Sequence, residues 1–320
     1  MDLLYPIKFT PQSKYRIWGG DNLKTKYGKP FKNDNIGESW EISSVPNSIS
    51  KVSNGFLKGK GLDELIKTYK SRLVGEYIYK KYNIKFPILV KLIDAKDKLS
   101  IQTHPDDKTS KIKHSSTGKT EFWYIMDSKK NSQIVLGFKK GITKEIYKRH
   151  VLNGTIDQIV KYKLINSGDC YLINPGQVHA IGKGIILAEI QQTSDITYRI
   201  YDYNRFDVNG KKRELHTDLA EDVIDFENKG NFNLNNKKKS NNLVNSKYFK
   251  INILNIRKEL ILDLNKIDSF SIFICIEGKL KYFDKNNSGT LLRGSSILIP
   301  AEIKKIILKG EKVKLLHVYM

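Results

Sequence analysis

The sequence has 320 residues, of which 39% are hydrophobic and 10% aromatic, so it is long enough for one large or two modest globular domains and is not typical of a disordered chain. No apolar run reaches the roughly 18 residues that cross a bilayer, and the start lacks the features of a secretory signal, so we expect a cytoplasmic protein without a membrane partner. The formal charge of +22 comes from lysines spread along the chain without aromatic platforms for bases, and we expect no nucleic-acid partner.

Short β-type runs dominate the sequence, and helical periodicity is confined to a few places. Apolar residues at helical spacing from Leu62 to Leu73 predict an amphipathic helix from residue 62 to about 80. Thr143 is a suitable N-cap for a second helix that reaches to about Val160, with an interruption at Asn153-Gly154. Apolar and β-branched runs predict strands at 121–126, 133–138, 170–173 and 184–191.

Residues 228–246 are rich in Asn, Lys and Gly and predict a linker or long loop. The strand-like rhythm then resumes, with His317 as a single histidine and no constellation of metal ligands. We therefore predict a mainly β fold of two cupin-like jelly-roll or β-barrel modules, with a few helices inserted in the first. The expected division is a catalytic, metal-binding domain at 1–227 and a C-terminal β domain without ligands at 247–320.

Two histidines lie near the ends of predicted strands and indicate a metal site. In Gln102-Thr103-His104, side chains two residues apart share one face of a strand, which is how a β-barrel directs two ligands into its interior. Glu121 and His179 begin or precede later β-type runs. A lone strand histidine is usually a hydrogen-bonded core residue, but one amide, two imidazoles and one carboxylate suit a single Zn²⁺ that keeps an open position for substrate.

The segment from Glu189 to Arg205 is the densest polar stretch of the chain. Within it Arg199 lies between apolar and aromatic residues, where a solvated strand would favour a smaller side chain. A buried arginine has to be paired or used, because an uncompensated internal charge is costly. An arginine beside a metal can stabilise a developing oxyanion without deprotonating.

These segments together resemble the type I mannose-6-phosphate isomerases (phosphomannose isomerases), zinc enzymes with cupin folds, and most closely their short bacterial form. The resemblance is carried by motifs between residues 18 and 205, while the tail is similar only in its β character. The motifs are Trp18-Gly19-Gly20, Gly37-Glu38-Ser39-Trp40-Glu41, Leu99 to Asp107, Gly118-Lys119-Thr120-Glu121, Gly176 to His179, and Glu189 to Arg205.

The resemblance implies a role for each matching position of the site. It implies that zinc is held by His104, Glu121 and His179, with Gln102 completing the set, and that Arg199 is catalytic. Lys119 corresponds to an active-site lysine and Asp195 to a candidate acid or base. Three positions correspond to contacts of the substrate phosphate: Lys91, Ser100 and Arg205.

One departure from the family limits what can be transferred. Longer members carry a histidine and a proline around the active-site lysine, whereas Gly118 and Thr120 flank Lys119 here. A proton-transfer role of that histidine therefore has no counterpart in this chain. The residues alone do not identify the base.

The expected activity is interconversion of mannose 6-phosphate and fructose 6-phosphate through an enediol. Its partner is a small sugar phosphate, and the protein is expected as a monomer or a homodimer. An iron-dependent cupin oxygenase is a second hypothesis, disfavoured because a charged lysine beside Gln and Glu suits a phosphosugar. A sugar-phosphate-binding cupin without catalysis is a third, and it would bind mannose 6-phosphate without turnover. A nucleic-acid binder would instead show affinity that depends steeply on salt.

Overall fold

The computed structural model describes residues 3–207, 209–227 and 241–320. Most of its elements are strands in antiparallel sheets, which confirms the predicted mainly β class. The strands of the first half are β1 Gln12–Gly20, β2 Ile36–Ile42, β3 Ser44–Val45, β4 Ser48–Ile49, β5 Ile88–Ala95, β6 Ile101–Thr103, β7 Glu121–Ser128, β8 Gln133–Phe138, β9 Val160–Leu164, β10 Cys170–Ile173, β11 His179–Ile181, β12 Ile185–Gln192 and β13 Tyr198–Tyr201. Those of the C-terminal part are β14 Asn242–Asn245, β15 Lys250–Ile256, β16 Glu259–Asp263, β17 Ser271–Glu277, β18 Lys279–Phe283, β19 Ser288–Leu292, β20 Ser296–Ile299, β21 Lys305–Lys309 and β22 Val313–Tyr319.

Short helices connect the strands. They are α1 Asn22–Thr25, α2 Leu62–Tyr69, α3 Ser71–Val74, α4 Glu76–Tyr82, α5 Asp107–His114, α6 Lys144–Leu152 and α7 Thr217–Glu221, with a 3-10 turn at Ile156–Gln158. The helix predicted from residue 62 to about 80 is instead three short helices. Lys70 and Gly75 have positive φ angles of 50° and 95°, which end α2 and α3 respectively. The second predicted helix begins after Thr143, whose hydroxyl accepts from the backbone N–H of Ile146, and it ends at Leu152, next to the expected interruption at Asn153-Gly154. The predicted continuation to about Val160 is wrong, because only a 3-10 turn follows and Val160 begins β9.

The described residues form two compact units. The first unit comprises residues 13–39 and 90–227. It contains most of a six-stranded sheet of order β1-β2-β5-β12-β7-β10 and a five-stranded sheet of order β13-β6-β11-β8-β9. Both sheets contribute to one apolar core, which includes Ile93, Trp123, Ile134, Ile181 and Leu187. All eight residues of β5 are buried, as are all eight of β12, so polar side chains on these strands lie inside the unit.

The second unit comprises residues 3–12, 40–89 and 241–320. Its C-terminal strands form a five-stranded sheet of order β14-β15-β22-β17-β20 and a four-stranded sheet of order β16-β21-β18-β19. A separate core is drawn from both of these sheets and includes Phe273, Leu280 and Ile306. The structure therefore has two sandwich-like β modules, as the sequence predicts.

The second unit does not coincide with the predicted C-terminal domain at 247–320, because it also includes residues 3–12 and 40–89. Residues 40–89 join the C-terminal strands through contacts distant in sequence, such as the rings of Phe86 and Phe270 at 4.4 Å and the ion pair between Arg72 and Glu302. Of the predicted linker at 228–246, residues 228–240 lie outside the described part of the chain, and Asn242–Asn245 forms β14. Within the described residues, no helix is long and apolar enough to cross a membrane.

Candidate active site

Strand pairing brings the predicted site residues of the first unit together. Gln102 on β6 faces His179 on β11 and Arg199 on β13, because β6 is paired between these two strands. Directly opposed residues of neighbouring strands project from the same face of a sheet. His104 follows Gln102 by two residues, and Glu121 begins β7 in the other sheet of the unit.

His104, Glu121 and His179 form a buried cluster. Their candidate ligand atoms all lie within 4.8 Å of one another, and a cluster of this composition could bind a metal ion. Nε2 of His104 is 3.1 Å from Oε1 of Glu121, and Nε2 of His179 is 3.9 Å from Oε2 of the same carboxylate. The centroids of the two imidazole rings are 4.7 Å apart, so two ring nitrogens and a carboxylate converge on one point.

Each imidazole of the cluster is oriented by a backbone carbonyl. Nδ1 of His104 lies 3.1 Å from the carbonyl oxygen of Ile196, and Nδ1 of His179 lies 2.9 Å from that of Gln177. A carbonyl only accepts, so each Nδ1 carries a proton and each Nε2 presents a lone pair to the cluster. Burial, with the nearby charge of Lys119, lowers the pKa of His104 to about 3, and burial also lowers the pKa of His179. Both rings are therefore neutral at physiological pH.

Glu121 is held as a carboxylate by its surroundings. Burial alone would raise its pKa, but the charge of Lys119, with a smaller contribution from the adjacent His104 ring, outweighs burial and holds the pKa well below its usual range. Nζ of Lys119 lies 3.1 Å from Oε1, and the indole N–H of Trp123 donates to Oε2 at 3.1 Å. The same indole N–H also donates to Oε2 of Glu189 at 3.0 Å, so Trp123 links two buried carboxylates.

Gln102 contributes an amide to the cluster. Its Nε2 lies 3.3 Å from Nε2 of His179, which carries the lone pair. A half-turn of the amide group would exchange its nitrogen and oxygen and direct an oxygen toward the same point. The side chain is thus within reach of the cluster in both orientations.

A cavity of about 450 Å³ opens beside the cluster, a volume within the range of small-molecule sites. Most of the predicted site residues line it, among them both predicted proton-transfer groups and two of the three predicted phosphate contacts. The lining residues are Tyr15, Arg16, Ile17, Trp18, Glu38, Lys91, Ile93, Leu99, Ser100, Gln102, Lys119, Glu121, Ile181, Glu189, Asp195, Thr197, Arg199 and Arg213.

The three predicted phosphate contacts have different surroundings. Ser100 and Lys91 line the cavity, but Lys91 is buried and its Nζ lies 3.1 Å from Oε1 of Glu189. Burial lowers the pKa of Lys91, while Glu189 and Glu38 outweigh burial and raise it, so the lysine is charged. Arg205 is not among the lining residues, and its guanidinium binds Asp202. The structure therefore brings two of these three residues to the cavity.

Arg199 presents its guanidinium to the cavity from β13. Its Nη1 donates to the carbonyl oxygen of Glu214 at 2.6 Å, and its Nε has no hydrogen-bond partner among the described residues. Burial lowers its pKa, and the positive charge of Arg213 lowers it further. An arginine remains protonated under these conditions, so a buried N–H donor is available to an anion in the cavity.

Sequence reasoning missed Arg16, Trp123, Glu189 and Arg213 as members of the site. Glu189 had a local signal, since it is a carboxylate inside the apolar run from Ile185 to Ile190. Arg16 alternates with Trp18 on β1, which places both on one face. Arg213 lies in a charged loop outside the strands and had no distinguishing local signal.

Comparison with known proteins agrees with this arrangement. The family models for the catalytic domain of type I phosphomannose isomerase and for the cupin domain of mannose-6-phosphate isomerase match residues 7–135 and 239–320. The chain is 34% identical to a putative mannose-6-phosphate isomerase of Bacillus subtilis, with 95% of this chain and 96% of the relative covered. It is 36% identical to a mannose-6-phosphate isomerase of Streptococcus mutans, with 68% of this chain and 67% of the relative covered.

A solved structure extends the similarity to the fold of the whole chain. The crystal structure of the mannose 6-phosphate isomerase from Bacillus subtilis matches with a TM-score of 0.89 and 31% sequence identity, and 99% of this chain and 100% of that chain are covered. Sequence similarity over nearly the full length and a shared fold lead to one conclusion. The chain belongs to the type I phosphomannose isomerase family, whose members are enzymes.

Proposed function

We propose that the protein is a zinc-dependent aldose–ketose isomerase that interconverts mannose 6-phosphate and fructose 6-phosphate. The observation that carries this proposal is the buried cluster of His104, Glu121 and His179 beside a cavity lined by Arg199 and Lys119. The names of the relatives agree with the same reaction. The cavity has room for a hexose phosphate and offers charged groups suited to an anionic substrate.

The residues of the cluster fit a zinc ion. Nε2 of His104 is buried without a hydrogen-bond partner among the described residues, and in the same part of the chain the buried Oε1 of Glu121 has an ion pair with Lys119 but no hydrogen bond. Two electron-rich atoms 3.1 Å apart repel each other unless a cation lies between them. His104, Glu121, His179 and Gln102 would hold the metal, with carbonyls behind each ring as the outer hydrogen-bond partners that such sites use. When bound, zinc would polarise the substrate carbonyl as a Lewis acid.

The remaining side chains account for substrate activation. Isomerisation moves a proton between C1 and C2 of the sugar through an enediol, and the C–H bond is a very weak acid until the adjacent carbonyl is polarised. Arg199, whose Nε–H has no hydrogen-bond partner in the described part of the chain, would stabilise the negative oxygen that develops. Removal of one such donor typically lowers kcat by ~10²–10³.

Lys119 and Asp195 are the candidates for proton transfer. Lys119 is buried next to the cluster, with its Nζ 3.4 Å from Oγ1 of Thr197, whereas Asp195 is exposed at the cavity wall. A buried group beside the polarised carbonyl is better placed to exchange a proton with substrate carbon or oxygen. We therefore assign the transfer to Lys119 and keep Asp195 as the alternative.

A coupled assay of mannose 6-phosphate conversion, run before and after treatment with a chelator, tests the proposal. We expect activity to disappear with the chelator and to return when zinc is added. His179→Ala should bind less zinc, as measured by metal analysis, and should lose activity. His150→Ala, which changes a histidine outside the cavity lining, serves as the control.

The outcomes of this assay separate the hypotheses. Zinc-loaded wild-type protein that binds mannose 6-phosphate without converting it would favour a binding protein over an isomerase. Activity that is insensitive to the chelator, or that needs iron, would contradict the zinc assignment.

A further inference from the structure

The cations that line the cavity differ in how their charge is balanced. Lys91 pairs with Glu189, Lys119 with Glu121, and Arg16 with Glu38, and all three carboxylates line the cavity themselves. These pairs therefore add little net charge to the space between them. Arg213 also lines the cavity, but its partner Asp202 does not.

Asp202 holds Arg213 in a two-point contact. Nε of Arg213 donates to Oδ2 at 2.7 Å, and Nη2 donates to Oδ1 at 2.5 Å. This contact uses two of the five N–H groups of the guanidinium and fixes its plane, so three N–H groups remain for a ligand. The side chain of Asp202 is 5% exposed and that of Arg213 is 21% exposed, so the carboxylate is the buried support and the guanidinium is the accessible group.

The same carboxylate also binds Arg205. Nη2 of Arg205 donates to Oδ1 of Asp202, and the two guanidiniums thus share one negative charge. Burial raises the pKa of Asp202, but hydrogen bonds from Arg213 and Arg205 outweigh burial and lower it, so the carboxylate is ionised. Two positive charges and one negative charge leave these three residues with a net charge of +1. The exposed Asp97, 3.6 Å from Nη1 of Arg205, balances the charge of Arg205 and not that of Arg213.

Arg199 adds a second positive charge near the same place. The charge of Arg213, after burial, is the largest influence that lowers the pKa of Arg199, which means that the two guanidiniums repel each other. An anion bound between them would relieve this repulsion. A phosphate group offers two charges and several acceptor oxygens, the chemistry that a fixed guanidinium recognises best.

We propose that Arg213 binds the phosphate group of the substrate and that Asp202 and Arg205 position it. This inference rests on the proposed function and names the residue that selects phosphorylated sugars. It also assigns a different role to Arg205, which acts through Asp202 and does not contact the phosphate. Lys91 likewise does not contact the phosphate in this proposal; its ion pair fixes the position of the Glu189 carboxylate.

The test compares steady-state kinetics of Arg213→Gln with those of the zinc-loaded wild-type protein. We expect KM for mannose 6-phosphate to rise about 10- to 100-fold, because a hydrogen bond to a charged group is lost. The value of kcat should change only a few-fold. The inhibition constant of inorganic phosphate, a competitor for the same site, should rise by a similar factor. Zinc content and melting temperature should stay close to those of the wild type.

Further variants separate binding from support. Arg149→Gln changes an exposed arginine on α6 outside the cavity lining and should leave every parameter unchanged. Asp202→Asn should raise KM with kcat retained, because it weakens the orientation of Arg213 and leaves the catalytic groups intact. If Arg213→Gln does not fold, Arg213→Lys replaces it; this variant keeps the charge without the two-point contact, and its KM should still exceed that of the wild type.

Two results would overturn the inference. One is an Arg213→Gln variant whose KM and phosphate inhibition constant stay within twofold of the wild type. The other is calorimetry in which wild-type protein and Arg213→Gln bind inorganic phosphate equally or not at all. Because calorimetry needs no turnover, it tests Arg213 even if the protein proves not to isomerise mannose 6-phosphate, which would contradict the proposed function separately.

Discussion

At the scale of single residues, hydrogen bonds to the outer atoms of the clustered side chains determine which ligand their inner atoms can bind. The carbonyl groups of Ile196 and Gln177 keep the proton of each imidazole on Nδ1. The indole N–H of Trp123 donates to Oε2 of Glu121. Without these contacts the rings could rotate or change tautomer, and the lone pairs would no longer converge. The geometry of the candidate metal site therefore depends on groups that would not touch the metal.

Trp123→Phe tests this dependence. The phenyl ring retains most of the packing in the core but has no N–H for Glu121 and Glu189. Loss of such a supporting hydrogen bond typically reduces metal affinity or activity by about 10- to 100-fold. Zinc affinity, measured by competition with a chromophoric chelator, should fall within that range. Tyr171→Phe, which changes another buried aromatic of the same core, is the control, and an equal loss in both variants would contradict the supporting role.

Arg199→Ala separates catalysis from metal binding. Its guanidinium faces the cavity from β13 and is not part of the cluster, so the variant should retain zinc. Turnover should fall by ~10²–10³, because a donor to the developing oxyanion is lost. Metal analysis and the coupled assay measure the two properties separately. A kcat close to that of the wild type would show that the proposed oxyanion role is wrong.

At the scale of elements, strand register determines which side chains share the site. β6 has only three residues, yet its central Gln102 is opposite His179 on one side and Arg199 on the other. A slip of one residue in either pairing would turn these side chains to the opposite face. The adjoining helix α5 begins directly after this strand and its connection, and its N-terminus is capped by Asp106, which accepts from the N–H of Thr109 at 2.8 Å.

Asp106→Ala should destabilise the protein without changing its active site. The side chain is exposed, and its measurable contribution is the cap of α5, worth about 1 kcal/mol in the free energy of unfolding. Denaturant-induced unfolding would measure this loss, and KM should be unchanged. Asp106→Asn retains a capping oxygen and should lose only a few tenths of that amount. A similar loss in both variants would mean that the cap is not the cause.

At the scale of the whole molecule, two β units carry different side chains in their interiors. The first unit contains a cluster of metal-binding character, whereas the described part of the second unit contains an apolar core and a buried His317. His317 is bonded to the hydroxyl of Ser271 at 2.9 Å and contacts the rings of Phe273 and Tyr319. Its surroundings resemble those of a structural core residue.

His317 should make the stability of the protein depend on pH. Burial lowers its pKa from 6.5 to about 4, so the folded protein keeps it neutral while the unfolded chain takes up a proton as the pH falls through this interval. The free energy of unfolding is therefore higher above pH 6.5 and decreases toward pH 4, by up to about 3 kcal/mol from this residue.

The measurement is denaturant-induced unfolding at pH 7 and pH 4.5 for wild type and His317→Gln. The variant retains a polar side chain near Ser271 but has no titrating group, so its stability should fall less over the interval. His150→Gln, which changes a partly exposed histidine, should behave as the wild type. Equal changes in wild type and His317→Gln would contradict the prediction.

The sequence by itself determined the mainly β class and the kinds of side chains that the site contains. These features depend on local pattern: strand alternation places Gln102 and His104 on one face, and turns before Glu121 and His179 put each near a strand end. The motifs also carried the resemblance to the family to which the chain belongs. The predicted roles of these residues remain predictions that the experiments above address.

Only the tertiary structure decided which charged groups meet. Three contacts join groups whose partners are not evident from local pattern. Trp123 bridges Glu121 and Glu189, Lys91 pairs with Glu189, and Asp202 is shared by Arg205 and Arg213. Arg205 had a motif but lies outside the cavity lining, while Arg213 had none and lines it. The reason is physical: ion pairing and burial depend on the distance between side chains after folding, and long-range register and loop paths set that distance.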